Sequence, residues 1–146
     1  MTNLMPYLNF PGTTREAMTF YHEALGGEVG FSTYGEFGAA PEGSPAFDKI
    51  MHAQLVNDTL RLMASDVVEG FGPPVTYGNN YAVSLVGPEE EQLTEIFNRL
   101  SEGGTVEMPL EQQVWGDRYG SFTDKFGVPW MVNIEVQSAE GAGAGD

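Results

Sequence analysis

The feature that most restricts how this chain can fold is an internal duplication. Leu93, Ile96, Phe97 and Leu100 recur at helical spacing, and a shift of 76 positions carries them onto Ala17, Phe20, Tyr21 and Ala24. The same shift carries Gly103 onto Gly27, where each helix stops, and Val86 onto Phe10, at the end of the preceding strand. One offset spanning strand, helix and cap implies two copies of a single supersecondary unit. A helix with one apolar stripe must bury it against another layer, so each copy needs a sheet beneath its helix.

Residues 5–10 read as a strand. Thr13 and Glu16 have the spacing of a capping box, which opens a helix with Ala17, Phe20, Tyr21, Ala24 and Leu25 on its buried stripe. Gly26-Gly27 ends that helix in the left-handed manner. Residues 28–34, 49–56 and 59–64 follow as strands, the last two joined by a two-residue turn at Asn57-Asp58. In the second copy Pro88 and Glu89, Glu90 and Glu91 start a helix with acids at the positive end of its dipole. Strands at 105–114, 118–123 and 128–136 complete it. The expected class is α+β: two tandem βαβββ modules, 1–66 and 75–136, forming a cupped, mostly antiparallel sheet. They make one domain over 1–136, with a linker at 67–74. The patternless, Gly- and Pro-bearing residues 35–48 are long enough for a lid or a partner contact. The Gly/Ala-rich residues 137–146 read as a mobile tail.

At 146 residues the chain can bury roughly 70% of the surface its unfolded form exposes. A net charge of −15 argues against nucleic acid and anionic membranes and favours a cationic ligand, although scattered acids also serve solubility. There is no cysteine, hence no disulfide framework, which fits a cytoplasmic protein. No stretch has the length or flanks of a membrane span or an export signal.

The chemistry-bearing stretch is Val114-Trp-Gly-Asp-Arg-Tyr-Gly-Ser-Phe-Thr-Asp-Lys-Phe-Gly-Val-Pro-Trp-Met131. Large aromatics beside a charged pair suit a concave apolar site with a few polar anchors. Alternatively Asp117 and Arg118 pair across a turn and only hold a hairpin. Tyr7, Trp115, Tyr119 and Trp130 are the candidate ligand-contacting aromatics, although strand aromatics more often fill cores. His22 reads as a partly exposed helix residue. Strand alternation places His52 on one face with Ile50 and Gln54, either as a cavity residue or as a satisfied core histidine. Glu135 shares a face with Met131 and Asn133 by parity.

Two βαβββ modules with Pro6-Tyr-Leu-Asn-Phe10, Glu16-Ala17 with Phe20-Tyr21, Met51-His52-Ala53, Trp115-Gly-Asp-Arg-Tyr-Gly120 and Asp124-Lys-Phe-Gly127 resemble the vicinal oxygen chelate superfamily, in particular its PhnB-like branch. That superfamily includes glyoxalase I, bleomycin-resistance proteins and extradiol dioxygenases. The resemblance implies two cupped sheets enclosing a cavity, a homodimer and, in the enzymes, a divalent metal that polarises vicinal oxygens. It implies ligands on the first and last strand of each module. The corresponding windows, 5–7, 60–64, 81–83 and 131–132, offer neither imidazole nor carboxylate, and His52 with Glu135 would be only two ligands. No metal and no cofactor are therefore expected. A methyltransferase label attached to the branch finds no Gly-rich turn after the first strand and no βαβ alternation to support it.

Two functions follow. One is a metal-free module binding a small organic guest, of the cationic kind that the net charge favours, through Tyr7, His52, Trp115, Asp117, Arg118, Tyr119, Trp130 and Glu135. The other is an enzyme with His52 as general base and Arg118 as clamp for an anion such as a phosphonate. An interaction role through dimerisation is compatible with both.

Overall fold

The computed structural model describes residues 1–136; the tail expected at 137–146 lies outside the described residues. The chain divides into two compact units, Met1–Thr76 and the part from Tyr77 onward. The first runs β1 (Tyr7–Phe10), α1 (Thr14–Leu25), β2 (Glu28–Thr33), β3 (Ile50–Val56) and β4 (Arg61–Asp66). Its sheet has the order β1-β4-β3-β2, with β1 parallel to β4 and the other pairs antiparallel. The second repeats the plan as β5 (Val83–Gly87), α2 (Glu90–Ser101), β6 (Thr105–Gln112), β7 (Arg118–Thr123) and β8 (Pro129–Ile134), in the order β5-β8-β7-β6. The architecture is α+β, two βαβββ units with four-stranded mixed sheets that do not close.

The repeat is not carried by one offset. Helix starts Thr14 and Glu90 differ by 76, but Tyr7 faces Met63 across its ladder as Ser84 faces Met131, a shift of 77. Residues 11–13 link β1 to α1, whereas only 88–89 link β5 to α2, and the missing residue moves every β5 side chain one place. Gly87 therefore stands where the buried Phe10 stands, and Val86, 59% exposed, is on the other face.

In α2 the buried residues are Leu93, Ile96, Phe97 and Leu100, the stripe read from sequence. In α1 they are Thr14, Ala17, Met18 and Tyr21, while Phe20, Ala24 and Leu25 are half-buried. Apolar residues on α1 cover more than one stripe, and packing on β2, β3 and β4 selects the one centred on Ala17 and Met18. The capping box does not form: Thr13 makes no side-chain cap. Instead the buried carboxylate of Asp66 accepts from Thr14 N at 2.9 Å and Ile50 N at 2.8 Å, and the Tyr34 hydroxyl donates to the Asp66 carbonyl at 2.7 Å. Burial pushes the Tyr34 phenol up from 10.0, with the Asp66 charge adding to the effect.

Two expected turns differ in detail. The β3–β4 connection spans four residues, because Val56 pairs with Arg61 and the Asn57 side-chain oxygen accepts from Thr59 N and Leu60 N. A bulge between Ser32 and Thr33 of β2 interrupts alternation in β3, where Ser32 faces His52 but Thr33 faces Ile50. Ile50 and Ala53 are thus both buried while Gln54 is exposed, so His52 does not share a face with Ile50. Within the 35–48 segment Gly35 N bonds Phe47 O, Ala39 N bonds Tyr34 O and the Phe47 ring packs against Gly35.

The core of the second unit lies under its sheet, where Phe97 meets Phe122 edge-on at 5.0 Å and Phe122 stacks on Trp130 at 6.4 Å. Asp124, buried, accepts from Phe126 N, Val128 N and Trp130 Nε1 at 2.8–3.1 Å and so ties the β7–β8 turn to the core. Among the described residues no helix is long and apolar enough to cross a membrane.

Candidate functional site

Each sheet has one face packed on its helix and one open face. In the first unit Tyr7, Met63 and Gln54 are ladder neighbours on the open face, with His52 beside them. The Tyr7 hydroxyl lies 3.4 Å from His52 Nδ1, and the rings are tilted 6.1 Å apart. Both side chains remain accessible, so the two residues form a polar, aromatic-edged surface.

In the second unit Tyr119, Ser121 and Thr123 pair with Asn133, Met131 and Pro129, which places these side chains on the open face. A cleft of about 490 Å³ lies there, with Tyr81, Tyr119, Met131, Ser121, Thr123 and Glu107 among its walls. Trp115, 58% exposed in the β6–β7 turn, meets Tyr119 edge-on at 6.0 Å and extends the aromatic surface. Glu107 accepts from the Thr123 hydroxyl at 2.9 Å. Burial pushes the Tyr81 phenol up from 10.0, and the Asp124 charge pushes it further.

The remaining residues read from sequence sit elsewhere. Arg118 pairs in the ladder with the buried Ile134, so its side chain points to the helix side. There Nη1 bonds Glu90 Oε2 at 3.0 Å and Nη2 bonds the Leu110 carbonyl at 3.1 Å. Asp117 does not pair with Arg118. It accepts from Asn133 Nδ2 at 3.0 Å and Val136 N at 3.1 Å, and these bonds hold its carboxyl below 3.8. Trp130 is 1% exposed in the core; together with Phe122 it contributes to the cleft floor. Glu135 is exposed just beyond β8, anchored through its backbone N–H to the Gly87 carbonyl at 2.8 Å. Sequence reasoning missed Tyr81, Glu107 and Met131 as wall residues. Only the period-2 alternation of β8 could have pointed to Met131, whereas Glu107 needed knowledge of a bulge.

A superfamily metal would draw ligands from the open-face positions of the outer strand pairs. These are Tyr7, Asn9, Met63 and Ser65 in one unit and Ser84, Val86, Met131 and Asn133 in the other. Neutral hydroxyls, amides, thioethers and a hydrocarbon do not suit a hard divalent ion. Among the described residues no three His, Asp or Glu side chains form a group able to hold one.

The model of the Glyoxalase/Bleomycin resistance protein/Dioxygenase superfamily matches residues 8–132. The chain belongs to that superfamily. The chain is 28% identical to protein YjdN of Escherichia coli K12 over 92% of its length and 96% of the relative's. The structure of protein PA1353 from Pseudomonas aeruginosa is 41% identical, with a TM-score of 0.80 over 92% of this chain and 98% of that one. The PhnB protein from Bacillus cereus has a TM-score of 0.71 over 92% of this chain and 100% of that one. At 23% identity the latter likeness shows the fold alone, and the methyltransferase activity in that protein's name is not carried over.

Proposed function

We propose that this superfamily member is a metal-free small-molecule-binding protein whose ligand sits on the open face of the second sheet. The observation that carries the reading is the cleft of about 490 Å³ beside Tyr81, Tyr119 and Met131, aromatic and thioether surface with the Ser121 and Thr123 hydroxyls as polar groups. Small-molecule sites are commonly clefts of roughly 300–1,000 Å³ with this mixture of apolar wall and sparse polar anchors. The Tyr7–His52 pair offers a second, more polar contact surface on the first sheet. The enzyme reading loses support, because Arg118 is turned to the helix side and already bound to Glu90.

We further propose a cytoplasmic homodimer. The edge strand β6 supports the dimer, since among the described residues its second ladder side has no strand partner and most of its side chains are exposed. Light scattering at micromolar concentration tests it: a dimer mass is expected, and a monomer mass overturns it.

Thermal unfolding of chelator-treated protein tests the function, first with Ni²⁺, Zn²⁺, Mn²⁺, Fe²⁺ and Mg²⁺, then with a panel of neutral, cationic and anionic organic fragments. A ligand selective for the folded state adds about 2.7 kcal/mol at a hundredfold excess over its Kd. Saturable stabilisation by an organic fragment is expected, and its loss in Tyr119→Ala would locate it. A saturable shift with a metal ion overturns the metal-free reading. An organic panel without any effect overturns the binding reading.

A further inference from the structure

We infer that the cleft on the open face of the second sheet takes an organic cation, a protonated amine or quaternary ammonium on an apolar body, with Glu107 as its counter-ion. The inference rests on the proposed reading of that cleft as a ligand site and names the class of ligand. Three independent observations carry it.

The first is the placement of Glu107. The β6–β7 register runs from Val106 opposite Phe122 to Met108 opposite Ser121, so Glu107 is an extra residue in a bulge. A bulge leaves one residue unpaired and re-aims its side chain. Here it brings the carboxylate to the cleft wall, where the Thr123 hydroxyl holds one oxygen at 2.9 Å. That bond uses one of about four lone-pair sites, so the carboxylate can accept further hydrogen bonds.

The second is the sign of the lining. Glu107 is the only Asp, Glu, Lys, Arg or His among the described residues lining the cleft. The cations of β7 and the β7–β8 turn are engaged elsewhere, Arg118 with Glu90 and Lys125 over the Phe126 ring. The buried Asp124 adds negative potential, felt at Tyr81 as an upward push on its phenol. An anionic guest would meet the Glu107 carboxylate with no cationic side chain in the lining to offset it, and a net charge of −15 raises the local concentration of cations around the whole chain.

The third is the aromatic wall. Tyr81 and Tyr119 line the cleft and Trp115 adjoins Tyr119. The negative faces of such rings attract ammonium groups, and their area together with the Met131 thioether accepts an apolar body.

The test is a titration of protein with ¹³C-methyl-labelled methionine, the Met131 signal assigned through Met131→Leu. The probes are benzyltrimethylammonium, benzyl alcohol and benzoate at matched ionic strength. The ammonium is expected to shift Met131 and to bind at least about tenfold more tightly than the alcohol, with benzoate weakest. Glu107→Gln, which keeps an oxygen to accept from Thr123, should abolish that advantage and leave benzyl alcohol unchanged. If the alcohol binds as well as the ammonium, or the preference survives Glu107→Gln, the cation assignment falls while the cleft stands as a ligand site. If no probe moves Met131 but other fragments of the stabilisation panel do, the cation assignment also falls and the binding reading survives. If nothing in either experiment binds, both fall.

Discussion

The two units share a βαβββ plan, yet each has its own buried aspartate at a different kind of junction. Asp66 holds the first turn of α1 and the bulged start of β3, partners 52 and 16 residues away. Asp124 holds Phe126, Val128 and Trp130, all within six residues. One carboxylate joins distant segments, while the other shapes a local turn and fastens it to the core. The open faces differ in the same spirit. The first presents the Tyr7–His52 pair, and the second a cleft walled by tyrosines and Met131. A duplicated scaffold thus keeps its layers while the sites on it diverge, because layers need only apolar stripes whereas sites need individual side chains.

This contrast can be broken by experiment, and the largest effect is expected at Asp66. Asp66→Ala leaves two buried N–H groups without partners and should cost about 3 kcal/mol in urea unfolding. Thr13→Ala, at the cap position that makes no side-chain bond, should cost less than about 0.5 kcal/mol. Equal losses in the two variants would mean that the helix is capped locally after all.

Trp130→Phe should cost about 2 kcal/mol, since it removes the indole N–H bond to Asp124 and part of the stack on Phe122. A ligand-binding effect without any loss of stability would contradict the placement of Trp130 in the core.

A smaller effect separates the open faces. Tyr119→Ala should weaken fragment binding in the cleft about tenfold, whereas Arg118→Gln should leave it within about twofold and cost no more than about 1 kcal/mol of stability. Strong loss of binding in Arg118→Gln would return the guanidinium to the site.

The smallest effect is at Asp117, whose carboxyl is held below 3.8 by Asn133 and then by the Val136 N–H. A folded-state value below the unfolded one contributes stability that is present above pH 3.8 and is lost as pH falls through the folded value. Asp117→Asn should therefore flatten the acid limb of the stability profile below about pH 4 and leave the neutral limb sloping as before. An unchanged acid limb would mean that these two bonds do not persist in solution.

How much could be read in advance follows the same division between near and distant. The stripe of α2, the Gly103 stop and the short connection between the strands at 118–123 and 128–136 depend on residues within a few positions, and all are where their spacing puts them. The stripe of α1 is rotated because several apolar residues competed and the sheet decided between them. His52 and Ile50 were separated by a bulge, and Val86 left the position of Phe10 because one connecting residue was missing. A period-2 pattern inverts at each such slip, and the sequence does not announce it. For the site, Tyr119 and Trp115 were legible as aromatics beside a turn. The direction of Arg118 was not, because its partner Glu90 lies 28 residues away on α2.

By itself, then, the sequence determined the α+β class, the duplication and the supply of aromatics, since these rest on composition and on patterns among nearby residues, and its motifs carried the resemblance to the superfamily whose model matches residues 8–132. Tertiary structure alone decided which aspartate caps α1, which face receives Arg118 and that Glu107 reaches the cleft. Those outcomes depend on registers and bulges that arise only when strands pair, and one residue of register exchanges the two faces of a sheet.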